Sequence, residues 1–99
     1  MIVEYIRYET KDANAFTSAY ERAREALDAS RHCLAYELSR CTEDPQCFIL
    51  RIEWDSAEGH LQGFRRSPEF GPFLAAVRPF IEDIREMRHY EVTTIARRK

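Results

Sequence analysis

"LAYELSRCTEDPQCFILRIEW", residues 34–54, alternates in polarity on both sides of a turn. Before TEDPQ, Leu34, Tyr36 and Leu38 alternate with Ala35, Glu37 and Ser39. After it, Phe48, Leu50, Ile52 and Trp54 alternate with Ile49, Arg51 and Glu53. A period of two on each side of a turn describes a hairpin of half-buried strands. A turn centred on Asp44 sets Leu38 opposite Leu50, Tyr36 opposite Ile52 and Leu34 opposite Trp54. On the other face it sets Glu37 opposite Arg51, a cross-strand ion pair worth ~0.2–1 kcal/mol. A slip of one residue would oppose apolar to polar side chains throughout, so parity selects this register. Cys41 then faces Cys47 beside the turn, where a cross-strand disulfide is geometrically conceivable.

The flanking segments extend the pattern. Residues 2–9, IVEYIRYE, are rich in β-branched and aromatic types and read as a first strand. Asp12 is placed to cap a helix whose apolar positions Phe16, Ala19, Tyr20, Ala23, Ala26 and Leu27 form one stripe. After Trp54, Asp55 or Ser56 is expected to cap a short helix with Ala57, His60, Leu61 and Phe64 inward and Glu58 closing the capping box. Ser67-Pro68 is a second helix start, from which Phe70, Phe73, Leu74, Val77 and Ile81 continue an apolar stripe broken by Pro72 and Pro79. Residues 86–95, EMRHYEVTTI, read as a last strand. The order β-α-β-β-α-β predicts an α+β, ferredoxin-like unit, an antiparallel sheet with both helices on one face. Its other face would be bare, so a homodimer pairing sheet to sheet is expected, with Arg88 and His89 near the interface and one of them pairing with Glu91 or Glu37.

Composition sets the outer bounds. Ninety-nine residues, 44% hydrophobic, with three Gly and four Pro, make one small globular domain spanning 1–99. A net charge of −2 lacks the basic excess of a nucleic-acid surface, and Arg97-Arg98-Lys99 reads as a solvated tail. No run approaches the ~18 apolar residues of a membrane span, and the N-terminus lacks signal-peptide order, which points to the cytoplasm. There free thiols are the default for Cys33, Cys41 and Cys47, whose spacing matches no zinc motif. Cys33 reads as a small hydrophobe and His32 as a loop residue. No phosphate-binding glycine motif is present, which argues against a nucleotide or flavin cofactor.

The stretch from His32 to Val92, with E-W-D-S ending one strand and S-P-E-F starting a helix, resembles the antibiotic biosynthesis monooxygenase (ABM) family. The resemblance runs from the opening MIVEYIRYE to RHYEV. It implies a dimeric α+β barrel with a pocket between sheet and helices in each subunit. It also implies, among relatives, cofactor-free monooxygenases of aromatic polyketides or quinols, and haem-degrading enzymes. The haem-degrading pattern needs an asparagine on the first strand, a tryptophan ending the third and a histidine nine or ten residues later. Here Asn14 lies beyond the first strand, and Gly63 and Phe64 occupy the ligand positions. Haem handling is therefore the weakest of three readings, and neither cofactor nor metal is expected.

The candidate site follows from the inward hairpin face. His60, with an unperturbed pKa of ~6.5, is the candidate base, and Tyr36 and Trp54 are candidate donors to a ring oxygen. Phe16, Tyr20, Leu34, Phe48, Ile52, Phe64, Phe70 and Phe73 would line the substrate pocket, Phe64, Phe70 and Phe73 being core residues first. The expected activity is cofactor-independent oxidation of a quinol-like or polycyclic aromatic substrate by dioxygen. The alternative is a non-catalytic dimeric domain that binds an apolar small molecule.

Overall fold

The computed structural model describes residues 1–56 and 58–99. Four strands, β1 (Ile2–Glu9), β2 (Cys33–Arg40), β3 (Cys47–Trp54) and β4 (Ile84–Glu91), form one sheet in the order β2-β3-β1-β4. Every neighbouring pair is antiparallel. Helices α1 (Ala13–Ala29) and α2 (Phe70–Val77) lie between the strands in sequence, giving the expected ferredoxin-like α+β architecture. No described helix is long and apolar enough to cross a membrane.

Helix α1 starts where the sequence places it: the Asp12 carboxylate accepts the Ala15 backbone N–H at 3.0 Å. All six residues of its predicted stripe, from Phe16 to Leu27, are buried. Five of them, Phe16, Tyr20, Ala23, Ala26 and Leu27, meet Ile6 and Tyr8 of β1 and Phe48, Leu50 and Ile52 of β3 in one core. Phe16 stands at its centre, within aromatic contact of Tyr8, Tyr20, Phe48 and Phe80.

The hairpin keeps the parity register over most of its length. Leu38 faces Leu50, Tyr36 faces Ile52, and Glu37 faces Arg51. Beside the turn, the Cys41 N–H donates to the Cys47 carbonyl at 2.8 Å, and all three thiols are free. The far end departs from expectation. The ladder shifts between Cys33 and Ala35, so Cys33 rather than Leu34 opposes Trp54. Leu34 is left in the bulge, 57% exposed. Cys33, the smaller side chain, packs against the core instead, and burial pushes its thiol up to about 11. The Glu37–Arg51 ion pair does not form. Arg51 binds Glu53 on its own strand at 2.6 Å and the Tyr5 hydroxyl of β1 at 3.2 Å.

The segment after β3 is wound more widely than an ordinary helix. Gly59–Phe64 form a π-helical turn in which the Arg65 N–H reaches back to the His60 carbonyl. Ser56 caps it, its hydroxyl accepting the Gly59 N–H at 2.8 Å. Glu58 makes no side-chain capping bond. His60 and Phe64 point inward as expected, whereas Leu61 is exposed, because the wider turn changes which positions share a face. Ala57 lies outside the described residues.

Ser67 closes this turn onto the Phe64 carbonyl rather than opening α2, which starts at Phe70. Pro72 therefore falls in the first turn of α2, where its missing N–H has no intrahelical partner to lose, and does not break the helix. Pro79 does mark a boundary: α2 gives way there to a 3-10 helix, Arg78–Asp83. Strand β4 covers 84–91 instead of 86–95: its pairing with β1 runs from Ile84 opposite Tyr8 to Glu91 opposite Ile2, and the Val92 N–H donates to the Met1 carbonyl at 3.0 Å just beyond it.

A close approach fixes the π-helical turn against the hairpin. His32 Nδ1 bonds Asp55 Oδ2 at 2.9 Å, and the imidazole lies against Gly63, where an added Cβ would sit 2.3 Å from ring atoms. Gly63→Ala should lower the unfolding free energy by about 1–3 kcal/mol, the usual range for overpacking. In a denaturant-based double-mutant cycle with His32→Ala, which vacates the space, much of that loss should return. Additive losses would show that the imidazole is not the obstruction.

Candidate active site

The sheet face under the helices is apolar except at one end. Alternation along β1 sends Glu4, Ile6 and Tyr8 into the interior. Glu4 faces His89 across the β1–β4 ladder and Ile52 across β1–β3. Trp54 ends β3 on the same face, fully buried, and His60 stacks on its indole, with ring centroids 4.6 Å apart and an interplanar angle of 17°. Four side chains from three strands and the π-helical turn thus converge on one point.

Their polar atoms form a connected group. The Glu4 carboxylate, 2% exposed, accepts the Trp54 indole N–H at 3.1 Å. His60 Nε2 lies 3.5 Å from the same oxygen, and His89 Nε2 lies 3.7 Å from the other. The two imidazoles meet through His60 Nδ1 and His89 Nε2 at 2.6 Å. The tautomers that satisfy this chain have His89 donating to His60 and His60 donating toward Glu4. His89, about a third exposed, is its solvent end.

Burial controls the electrostatics. It raises the Glu4 pKa above the ordinary carboxylate value, against the Trp54 hydrogen bond and the positive influence of His89 and Arg65. The same desolvation, helped by His89 and Arg65, lowers His60 to about 4. The ordinary imidazole pKa expected from sequence does not survive this environment. His60 is neutral at physiological pH.

Next to this group lies a cavity of about 190 Å³ between the sheet, the π-helical turn and α2. Its walls are apolar, from Ile6, Ile52, Phe73, Val77 and Ile84 among others, and Glu4, Trp54, His60 and Arg65 form its polar end. Of the sequence candidates, Trp54, His60, Ile52, Phe64, Phe70 and Phe73 line this cavity. Phe16, Tyr20 and Phe48 do not; they pack in the core cluster around α1. Leu34 points outward from the bulge. Tyr36 is also elsewhere, its hydroxyl donating to Asp28 at 2.6 Å and accepting from Arg24 at 2.9 Å. Tyr36 stands on β2, the edge strand, which β3 separates from Glu4 on β1. Glu4, His89 and Arg65 were not among the candidates. Glu4 carried a signal, since it shares parity with Ile6 and Tyr8 in IVEYIRYE; His89 required the β1–β4 register, which no local pattern encodes.

Residues 1–76 match the family described as antibiotic biosynthesis monooxygenase. The chain belongs to this family. Among curated proteins, the uncharacterized protein YczJ of Bacillus subtilis (strain 168) is 26% identical over 76 residues, covering 77% of this chain and 80% of YczJ. A conserved protein from Methanosarcina mazei Go1 superposes with a TM-score of 0.76 at 20% identity, over 93% of this chain and 92% of its own. SnoaB, a cofactor-independent oxygenase from Streptomyces nogalater, gives 0.72 at 16% identity, over 99% of this chain and 94% of its own. At these identities the two solved structures establish a shared fold. The asparagine sought for haem degradation is absent from β1, since Asn14 lies on α1, and Phe64 is a buried wall of the cavity.

The His60 shift has a defined consequence for stability. Between pH 6.5 and about 4 the unfolded chain holds a proton on this imidazole that the folded chain refuses, so stability should fall as pH drops through that window. Glu4 acts oppositely, because its raised pKa makes the folded state take up a proton first. Urea melts at pH 7, 6, 5 and 4 should therefore show a steeper acid loss in Glu4→Gln than in the wild type. An NMR titration should find His60 neutral at pH 6; a midpoint near the ordinary imidazole value would contradict the assignment.

Proposed function

We propose that the cavity is the active site of a cofactor-independent monooxygenase acting on a one- or two-ring quinol. The observation that carries this reading is the buried Glu4–His60–His89 chain, which meets an apolar cavity at one end and solvent at the other. A quinol must lose a proton before its ring can give an electron to dioxygen. Glu4, with its proton affinity raised by burial, accepts that proton, and the proton moves outward when both imidazoles take the opposite tautomer, Glu4 donating to His60 Nε2 and His60 Nδ1 donating to His89 Nε2. The Trp54 N–H and the Arg65 guanidinium stabilise negative charge at the same end. The anion reduces dioxygen, one oxygen atom bonds to a ring carbon, and the other leaves as water. Quinol plus dioxygen gives hydroxyquinone plus water, with no outside reductant.

The cavity volume narrows the substrate. An apolar cavity of roughly 150 Å³ accommodates benzene, so about 190 Å³ suits one ring, or two with modest opening, rather than a larger polycycle. The sheet face opposite the helices exposes Tyr5, Ile49 and Tyr90, a surface suited to a second copy of the chain, and a homodimer through this face belongs to the proposal. A reducing, cytoplasmic setting suits its three free thiols.

Oxygen uptake with benzoquinol, naphthoquinol and a three-ring hydroquinone, corrected for autoxidation, tests the reading. Saturable turnover of the smaller substrates should place one labelled atom from dioxygen in the product. It should fall at least tenfold in Glu4→Gln and His60→Ala, about 1.4 kcal/mol of barrier. Saturable quenching of Trp54, the chain's single tryptophan, with no uptake above autoxidation would instead identify a ligand-binding domain.

A further inference from the structure

We propose that Glu4, His60 and His89 form a binding site for a divalent transition-metal ion. One carboxylate and two imidazoles offer three ligand atoms that all lie within 4.8 Å of one another. Two nitrogens and one oxygen suit zinc, cobalt or iron in the divalent state better than calcium or magnesium, which prefer all-oxygen sites.

The arrangement is more than a coincidence of residue types. Glu4 and His89 are fixed opposite each other by the β1–β4 ladder, and His60 is held by stacking on Trp54. The Trp54 N–H binds one Glu4 oxygen, leaving the other directed at His89 Nε2, the outer-sphere pattern that orients a ligating carboxylate. His60 Nδ1 and His89 Nε2 are 2.6 Å apart. Tetrahedral ligands on ~2.0–2.1 Å bonds stand about 3.3 Å apart, so an ion replaces the shared proton if the rings separate by well under an ångström. His60 can then keep its other N–H toward Glu4. A buried carboxylate beside two imidazoles also lacks a full compensating charge, which a dication supplies. The coordination left open adjoins the cavity, where Arg65 favours an anionic oxygen as the remaining ligand.

This inference goes beyond the oxygenase reading and does not depend on it. An ion here would occupy the nitrogen lone pairs through which the proposed proton path runs, so loading the site would silence base chemistry.

The test titrates Co2+ into the full chain without substrate, following its d–d absorption, and Zn2+ by calorimetry. The expected result is one ion per chain, with affinity at least tenfold lower in His89→Gln and in Glu4→Gln. His32→Ala, which removes the separate His32–Asp55 pair, should leave affinity unchanged. Circular dichroism establishes that each variant is folded, and His89, being partly exposed, is the safer substitution. Absence of binding overturns the proposal. So does binding that survives both ligand substitutions, is lost in His32→Ala, or shows thiolate-to-cobalt charge transfer from the cysteines. Because the readout is binding alone, a failed oxygenase assay leaves this result intact, and the reverse also holds.

Discussion

A carboxylate buried in a sheet interior must find partners there or unfold the protein around it. Glu4 sits on β1, one of the two central strands, and its partners come from β3, β4 and the π-helical turn. Leaving such a group unpaired costs several kcal/mol. Satisfying it therefore constrains where Trp54, His60 and His89 can stand, and with them the registers of both ladders that flank β1. The cavity exists beside this point because the apolar side chains of α2 and β4 close over the sheet without filling the space next to the polar group.

The fold was legible because its signals are local and agree with one another. Parity in residues 34–54 gave the pairing of Leu38 with Leu50 and Tyr36 with Ile52. The stripe from Phe16 to Leu27 and the Asp12 cap gave α1. The pairing failed at Leu34, where a bulge lets the smaller Cys33 lie beside Trp54; alternation has no way to mark an inserted residue. The edges of α2 moved for a similar reason, since Ser67-Pro68 has the chemistry of a helix start but is used to close the preceding turn.

The candidate site was half legible. Trp54 and His60 stand together because they flank one strand end and are close in sequence, whereas Tyr36 was placed by a parity that says nothing about distance along the sheet. Glu4 is a charge on an otherwise apolar face of its strand, but one carboxylate in a strand reads as an exposed residue until its face is known. His89 could not be seen at all before β4 was set against β1. Catalytic groupings assembled across strands are properties of the register, and the register is global.

The π-helical turn that presents His60 has a consequence for how this chain can vary. A helix that closes five residues back instead of four contains, in effect, one residue too many. Removing that residue would restore ordinary helical closure and change the phase by about 100°, the rotation per residue. With the chain ends held by Ser56 and Ser67, that rotation would turn His60 and Phe64 relative to the cavity. Substitutions in the outward positions Leu61 and Gln62 leave this geometry alone, whereas a deletion of any one residue there does not. In this segment, chain length is the more tightly fixed character, and drift in sequence is expected to proceed by replacement without gaps.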